Sequence, residues 1–380
     1  MTSIMKTSAR YRMKPRSTRP FPPFKRERGL SLVELMIAIT LGLVLVAGVT
    51  TLISQQSSTS RELNNTSRQI ENGRYAIQVL RDDIELAGYY GAYFNIALDF
   101  PVAGASATLP DPCAASVAEL DAALPVAIQG YDSPTTVPTA LAACLADANH
   151  LSGTDILVIR RADTNVTTLD PSGAGAEAGQ AYIQAGLDTS KVFKRQVGIG
   201  PDTSEPRVFT LKKMDGAVAD LHRFFVHIYY VSPCNKPATG TTCSGASDDN
   251  GNPIPTLKRL ALGVSAGSTA FINTPLVEGI QNVQFDYGID KDNDGAPDYY
   301  TTGTYAQDGS TELVATDWWN VMTVRAHILS RNPDASGGYT DDKTYSLGLE
   351  GNVGPFDDRY KRHVFSETIR AVNPSGRRAQ

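Results

Sequence analysis

Histidine and cysteine are scarce. The 380 residues include 5 His and 4 Cys, with no C-x-x-C and no histidine at ligand spacing from a cysteine, so a zinc site finds no support. The histidines (His150, His222, His227, His327, His363) are scattered along the chain. No P-loop and no dinucleotide fingerprint occurs, and no repeat of solenoid period is evident. The most telling absence is local: residues 30–53 contain no Pro, Lys, Arg or Asp. Their only acid is Glu34, near the start of an otherwise apolar run.

Fourteen of those 24 residues are Leu, Ile or Val. At about 1.5 Å per residue, a helix of that length reaches about 36 Å, enough to cross a hydrocarbon core of roughly 30 Å. Each large aliphatic residue favours insertion by roughly 0.3–0.6 kcal/mol. A mid-membrane charge costs about 2.5–3.5 kcal/mol, and less near an end, where Glu34 lies. The apolar side prevails, so insertion tolerates Glu34 without explaining it. An intramembrane carboxylate is a functional candidate, because a buried acid needs a cationic partner.

Residues 1–28 hold nine Lys or Arg against one acid, Glu27. Positive-inside bias keeps this end cytoplasmic and sends the chain beyond residue 53 across the membrane. Taking its +8 from the chain's −5 leaves −13 for the remainder, a balance that argues against direct nucleic-acid binding. A secretory signal places its cleavage site after the apolar core. Here the candidate site, Gly29-Leu30, precedes it.

That order, with the acid five residues past the glycine, resembles the type IV prepilins and type II secretion pseudopilins. NTSRQIENGRYAIQVLRDDIELAGYYG (65–91), GTDILVIRRAD (153–163) and RHVFSETIRAVNP (362–374) resemble the PilW-type minor pilins. The resemblance implies cleavage by prepilin peptidase after Gly29 and methylation of Leu30. It implies that Glu34 pairs with the N-terminal amine of a neighbouring subunit. Leu30 departs from the Phe most common there, and the 29-residue leader is long, with Met5 and Met13 as alternative starts. The implied partners are other minor and major pilins. The implied path runs from the inner membrane, C-terminus periplasmic, to the pilus tip and cell surface, without catalysis. The rivals are a pseudopilin of a secretion tip complex and a signal-anchored periplasmic enzyme.

Beyond residue 53 the spacing predicts that the helix continues to Gly88. Leu63, Ile70, Ile77 and Ile84 fall seven apart, Leu80 and Ala87 join the stripe, and Arg81, Asp82, Asp83 and Glu85 lie off it. Ala38 and Gly42 form a small-xxx-small pair. Residues 89–380 suffice for a sizeable head. Strands are predicted at 155–161, 207–213, 224–232, 257–264, 283–290, 321–331 and 363–372. Ala- and Pro-rich residues 101–147 read as a surface insertion with some short helix. The expected class is α+β, a long N-terminal helix packed on a mainly antiparallel head.

Cys113 and Cys144 bracket the insertion, and Cys234 and Cys243 bracket a loop. Four cysteines allow three pairings, and loop closure favours Cys113–Cys144 and Cys234–Cys243. Asp290, Asp292, Asp294 and Asp298, with Gly295 for the sharp turn, follow a calcium loop of the D-x-D-x-D-G kind. Position twelve is Thr301 where an EF-hand has Glu, so Ca2+ would sit in a hairpin loop; the competing reading is an acidic turn. Gly263-Val-Ser265-Ala-Gly267 spells G-x-S-x-G, but loop and strand rather than helix follow it, so it reads as a turn. A core or surface role rather than catalysis is expected of His227, and core packing of Trp318 and Trp319.

Overall fold

The computed structural model describes residues 29–93, 109–168, 175–200, 209–303, 313 and 315–378. The basic leader, residues 1–28, lies outside them, as do 101–108 of the insertion and the first two residues of the strand expected at 207–213. The chain divides into two units at Thr59/Ser60.

The first unit holds the start of α1 (Leu32–Glu85). Ser31 O accepts the first helical bond, from Leu35 N at 3.0 Å. From Leu32 to Ile53 every large apolar side chain is exposed. Thr40 donates its hydroxyl to Met36 O (3.0 Å) and Ile37 O (2.9 Å), and Thr50 donates to Val46 O (2.7 Å). These threonine hydroxyls thus satisfy themselves within the helix, as an apolar solvent requires.

The second unit holds the rest of α1 and the head. Its further elements are α2 (Val117–Ala123), β1 (Ile128–Tyr131), β2 (Ile156–Thr167), β3 (Ala181–Leu187), β4 (Phe193–Ile199), β5 (Leu221–Ser232), β6 (Thr256–Ser265), β7 (Ser268–Glu278), β8 (Ile280–Ile289), β9 (Tyr299–Thr301), α3 (Ala315–Trp318), β10 (Val321–Arg331), β11 (Tyr345–Ser346), β12 (Asn352–Val353), β13 (Arg362–Arg370) and α4 (Val372–Arg378). Every strand pairing is antiparallel. The class is α+β.

A seven-stranded sheet is centred on β5, with β2 on one edge and both β3 and β6 on the other. Both its faces are buried. Leu157, Ile159, Tyr229 and Val231 enter a core shared with α1 and the four-stranded sheet β13-β10-β8-β9. Ile156, Val158, Ile228 and Tyr230 enter a second core beneath α2. That double burial explains the nearly unbroken apolar run in β5, since period-two alternation marks only sheets with one wet face.

The head half of α1 corrects the seven-residue stripe. Ile77, Leu80, Ile84 and Ala87 are buried as expected, and so is Ala76, but Leu63 is 67% exposed and Ile70 is 36% exposed. A straight helix drifts about 20° per heptad, so a stripe drawn seven apart leaves the contact face after two steps. Gln69 and Gly73 take the places Ile70 was expected to fill. The helix ends at Glu85, and Gly88, in the left-handed region (φ 70°), donates its N–H to Arg160 O at 2.9 Å.

Three other expectations shift. No strand spans Phe209–Lys213; Lys212 makes single bridges to Leu187 and Val218, because the chain turns back at Asp215–Gly216. The segment read as a surface insertion supplies core: Leu120, Leu124, Leu141 and Leu145 are buried, and β1 is a strand of the main sheet. β3 and β4 were not anticipated. The G-x-S-x-G letters fall on the β6–β7 hairpin, whose two turn residues, Ala266 and Gly267, both have positive φ (51° and 80°) as a tight primed turn needs.

Candidate assembly helix and head sites

Gly29 and Leu30 precede α1, and Leu30 is 73% exposed. Glu34 is exposed in the first turn of α1, where the helix dipole favours an anion. Around it the helix is apolar on all sides, long enough to cross a membrane, and carries no buried residue in its apolar window. Such a surface needs lipid or other apolar helices around it.

The head half of α1 is held by polar bonds as well as by packing. Gln69 Nε2 donates to Ser330 O (2.9 Å) and Lys361 O (3.0 Å), while Ser330 Oγ donates to Gln69 O (3.0 Å). Glu62 pairs with Lys361 at 2.5 Å and accepts from Ser336 Oγ at 2.9 Å. Gly73 faces the Phe365 ring so closely that a Cβ would lie 2.1 Å from Cε2.

The deepest polar site on α1 is Asp83, expected off the apolar face but buried. Its Oδ1 accepts Arg161 Nε at 2.5 Å, and its Oδ2 accepts His227 Nδ1 (2.6 Å) and the Tyr229 hydroxyl (2.8 Å). Burial alone would push the carboxyl up, but His227 and Arg161 outweigh it and hold Asp83 well below the usual carboxylate range. The network joins α1 to β2 and β5. His227 is therefore a core histidine, with a partner that sequence reasoning did not supply.

The Asp290 loop connects β8 to β9. Asp290 is buried and accepts Asn293 N (2.6 Å) on Oδ1 and Gly295 N (3.0 Å) on Oδ2; Asp298 Oδ2 accepts Lys291 N (2.6 Å). Asp290, Asp292 and Asp294 can each offer an oxygen within 4.8 Å of the others, a spread that fits Ca2+ bonds of about 2.3–2.6 Å. Asp298 is exposed and falls outside that group. Cys113–Cys144 and Cys234–Cys243 are both disulfide-bonded, so the Cys234, Cys243 and Asp248 cluster has no thiolate to offer a metal.

Sequence reasoning also missed a line of three side chains across neighbouring strands. His327 Nδ1 lies 2.8 Å from Ser366 Oγ, and His327 Nε2 lies 3.2 Å from Asp286 Oδ2. The roles match those of a nucleophile, base and orienter. However, Ser366 stands on an open strand, and the loop amide in the network, Leu349 N–H, is spent on Asp286 Oδ1 at 3.2 Å. The bonds tie β8, β10 and β13 to that loop. Only strand register brings these residues together, so no local motif could have announced them.

A membrane-length helix with an acid in its first turn, followed by an antiparallel head, is the arrangement that the prepilin resemblance implies. Residues 24–50 match the family model described as Prokaryotic N-terminal methylation motif, and residues 242–373 match the one described as Type IV Pilus-assembly protein W. Together they support a type IV pilus minor pilin of the PilW type, and the secretion pseudopilin is not better supported. Both families are structural components of pilus assembly rather than known enzymes. No curated protein and no solved structure matches the chain. The W-type match covers β6 through β13 and leaves out residues 65–91, on which the resemblance chiefly rested.

Proposed function

We propose that this chain is a PilW-like minor pilin that acts without catalysis in a tip or priming complex that starts pilus assembly. The observation that carries the reading is α1, which presents an exposed, all-round apolar surface directly after Gly29-Leu30, with Glu34 in its first turn. Prepilin peptidase cuts after Gly29, and Leu30 becomes the methylated N-terminus. Glu34 meets the freed amine of a neighbouring subunit while the apolar helix packs with other minor and major pilins. The nine basic residues of 1–28 keep that end cytoplasmic, so the head is periplasmic before it reaches the pilus tip.

The test is the intact mass of the chain co-expressed with a prepilin peptidase, beside Gly29→Ala. Loss of residues 1–29 with gain of one methyl group, absent in the variant, is the expected result. An uncut chain, or a cut beyond residue 50, would falsify the reading.

On the same reading, Ca2+ binds Asp290, Asp292 and Asp294, with Asp298 as a further oxygen donor, and stiffens the β8–β9 loop. Calorimetric titration should give binding heat that Asp292→Ala removes; a wild-type chain that takes up no Ca2+ ends the idea.

A further inference from the structure

A groove of about 300 Å³ runs between the head half of α1 and β13. Arg74, Ile77 and Gln78 line it from the helix, Phe365 and Ser366 from the strand. Ile77 is buried and Phe365 packs partly buried against the core, so the floor is apolar. Ser366 turns its hydroxyl to His327 on β10, and strand side chains alternate between faces. Its share of the groove is therefore main chain. Among the described residues β13 ends its sheet, pairing with β10 alone. The groove thus opens on an unpaired strand edge, which proteins ordinarily cover, shorten or charge.

The charge at the rim is specific. Arg81 also lines the groove but is paired with Glu367. Arg74 is exposed and has no acidic partner among the described residues. Of the two cations lining the groove, Arg74 is thus the one with no carboxylate beside it among the described residues.

We propose that the groove receives an extended segment of a neighbouring pilus subunit. The segment adds a strand to β13, lays an apolar side chain on Ile77 and Phe365, and brings a carboxylate to Arg74. This rests on the minor-pilin reading. Strand addition draws affinity from main-chain bonds and specificity from alternate side chains, and the groove supplies an edge, an apolar floor and a cation for those parts. A docking helix could use the floor but would leave the edge unpaired.

The experiment places a benzoylphenylalanine photocrosslinker at Gln78 of the full chain in pilus-assembling cells. A second chain carries it at Met214, which is 95% exposed and outside the groove. We expect Gln78 to crosslink to another pilus subunit, on a peptide that alternates apolar residues and contains an acid. Arg74→Glu should lower that yield about tenfold, as a like charge at an interface rim does. Equal yields at Gln78 and Met214, a crosslinked peptide from a helix, or no effect of Arg74→Glu would each overturn the proposal. Processing and presence in pili are read on the same cells. A chain that is cut and assembled but gives one of those outcomes sinks the groove alone; an uncut chain absent from pili sinks the minor-pilin reading itself.

Discussion

The two halves of α1 share one backbone geometry and opposite chemistry. From Leu32 to Ile53 apolar side chains cover the whole circumference and none is buried by the protein. From Gln69 to Ile84 one face is buried, and that face carries Gln69 and Asp83 among the aliphatic residues. In the first half, polar groups are few, and the threonine hydroxyls bond to their own helix. In the second, they reach across to strands and fix how the helix lies on the head. Hydrophobicity without direction suits a surface that must meet several neighbours, whereas buried polar bonds suit one fixed partner.

Removing the carboxylate in the head half should have the largest effect. Asp83→Asn leaves the partly buried Arg161 beside a neutral amide in the core, and breaking a buried pair costs about 3–5 kcal/mol. Urea unfolding of the full chain in detergent should show that loss, and a variant as stable as wild type would remove the contrast between the halves. The pH dependence has a definite sign. Because the Asp83 carboxyl is held low, its contribution is present in full above the unfolded value near 4 and disappears only as pH falls through the lowered one. Wild type should therefore lose this advantage over Asp83→Asn only in strong acid, which circular dichroism across an acid titration would read.

A charge in the other half should act elsewhere. Leu43→Asp puts an acid mid-membrane at about 2.5–3.5 kcal/mol, so the membrane-bound fraction should fall while the unfolding midpoint of the head stays put. A shifted midpoint would mean that the apolar half supports the head after all. Gly73→Ala asks for less. Its new methyl meets the Phe365 ring, and overpacking of that kind costs about 1–3 kcal/mol. Phe365→Leu in the same chain should restore part of the loss; no restoration would place the strain elsewhere.

Much of this design was legible in the chain. The apolar run with its early acid announced the first half of α1, and dense β-branched and aromatic runs announced β2, β5, β6, β8, β10 and β13. What stayed hidden depended on partners remote in sequence. Asp83 is the instructive case, since Leu80, Asp83 and Ala87 share a helix face, so its burial was readable; His227, 144 residues away, was not. The Ala- and Pro-rich segment looked like surface because short strands and helices bury small residues without strong periodicity. β3 and β4 carry Gly and Gln where strand patterns favour branched residues. The Asp286, His327 and Ser366 line exists only through the register of three strands.

The contacts that close around α1 also set an order of events. Gln69 bonds to Lys361, 292 residues further on, and Leu80 and Ile84 share their core with Val283, Phe285, Val324 and Ile328. A ribosome delivers those residues late. Until β10 and β13 have emerged, β2 and β5 can cover only part of the inner face of the helix, and the nascent head offers the remaining apolar surface to chaperones and proteases. Completion of the core is thus a check on length: a chain ending before residue 321 lacks both strands and keeps that face open.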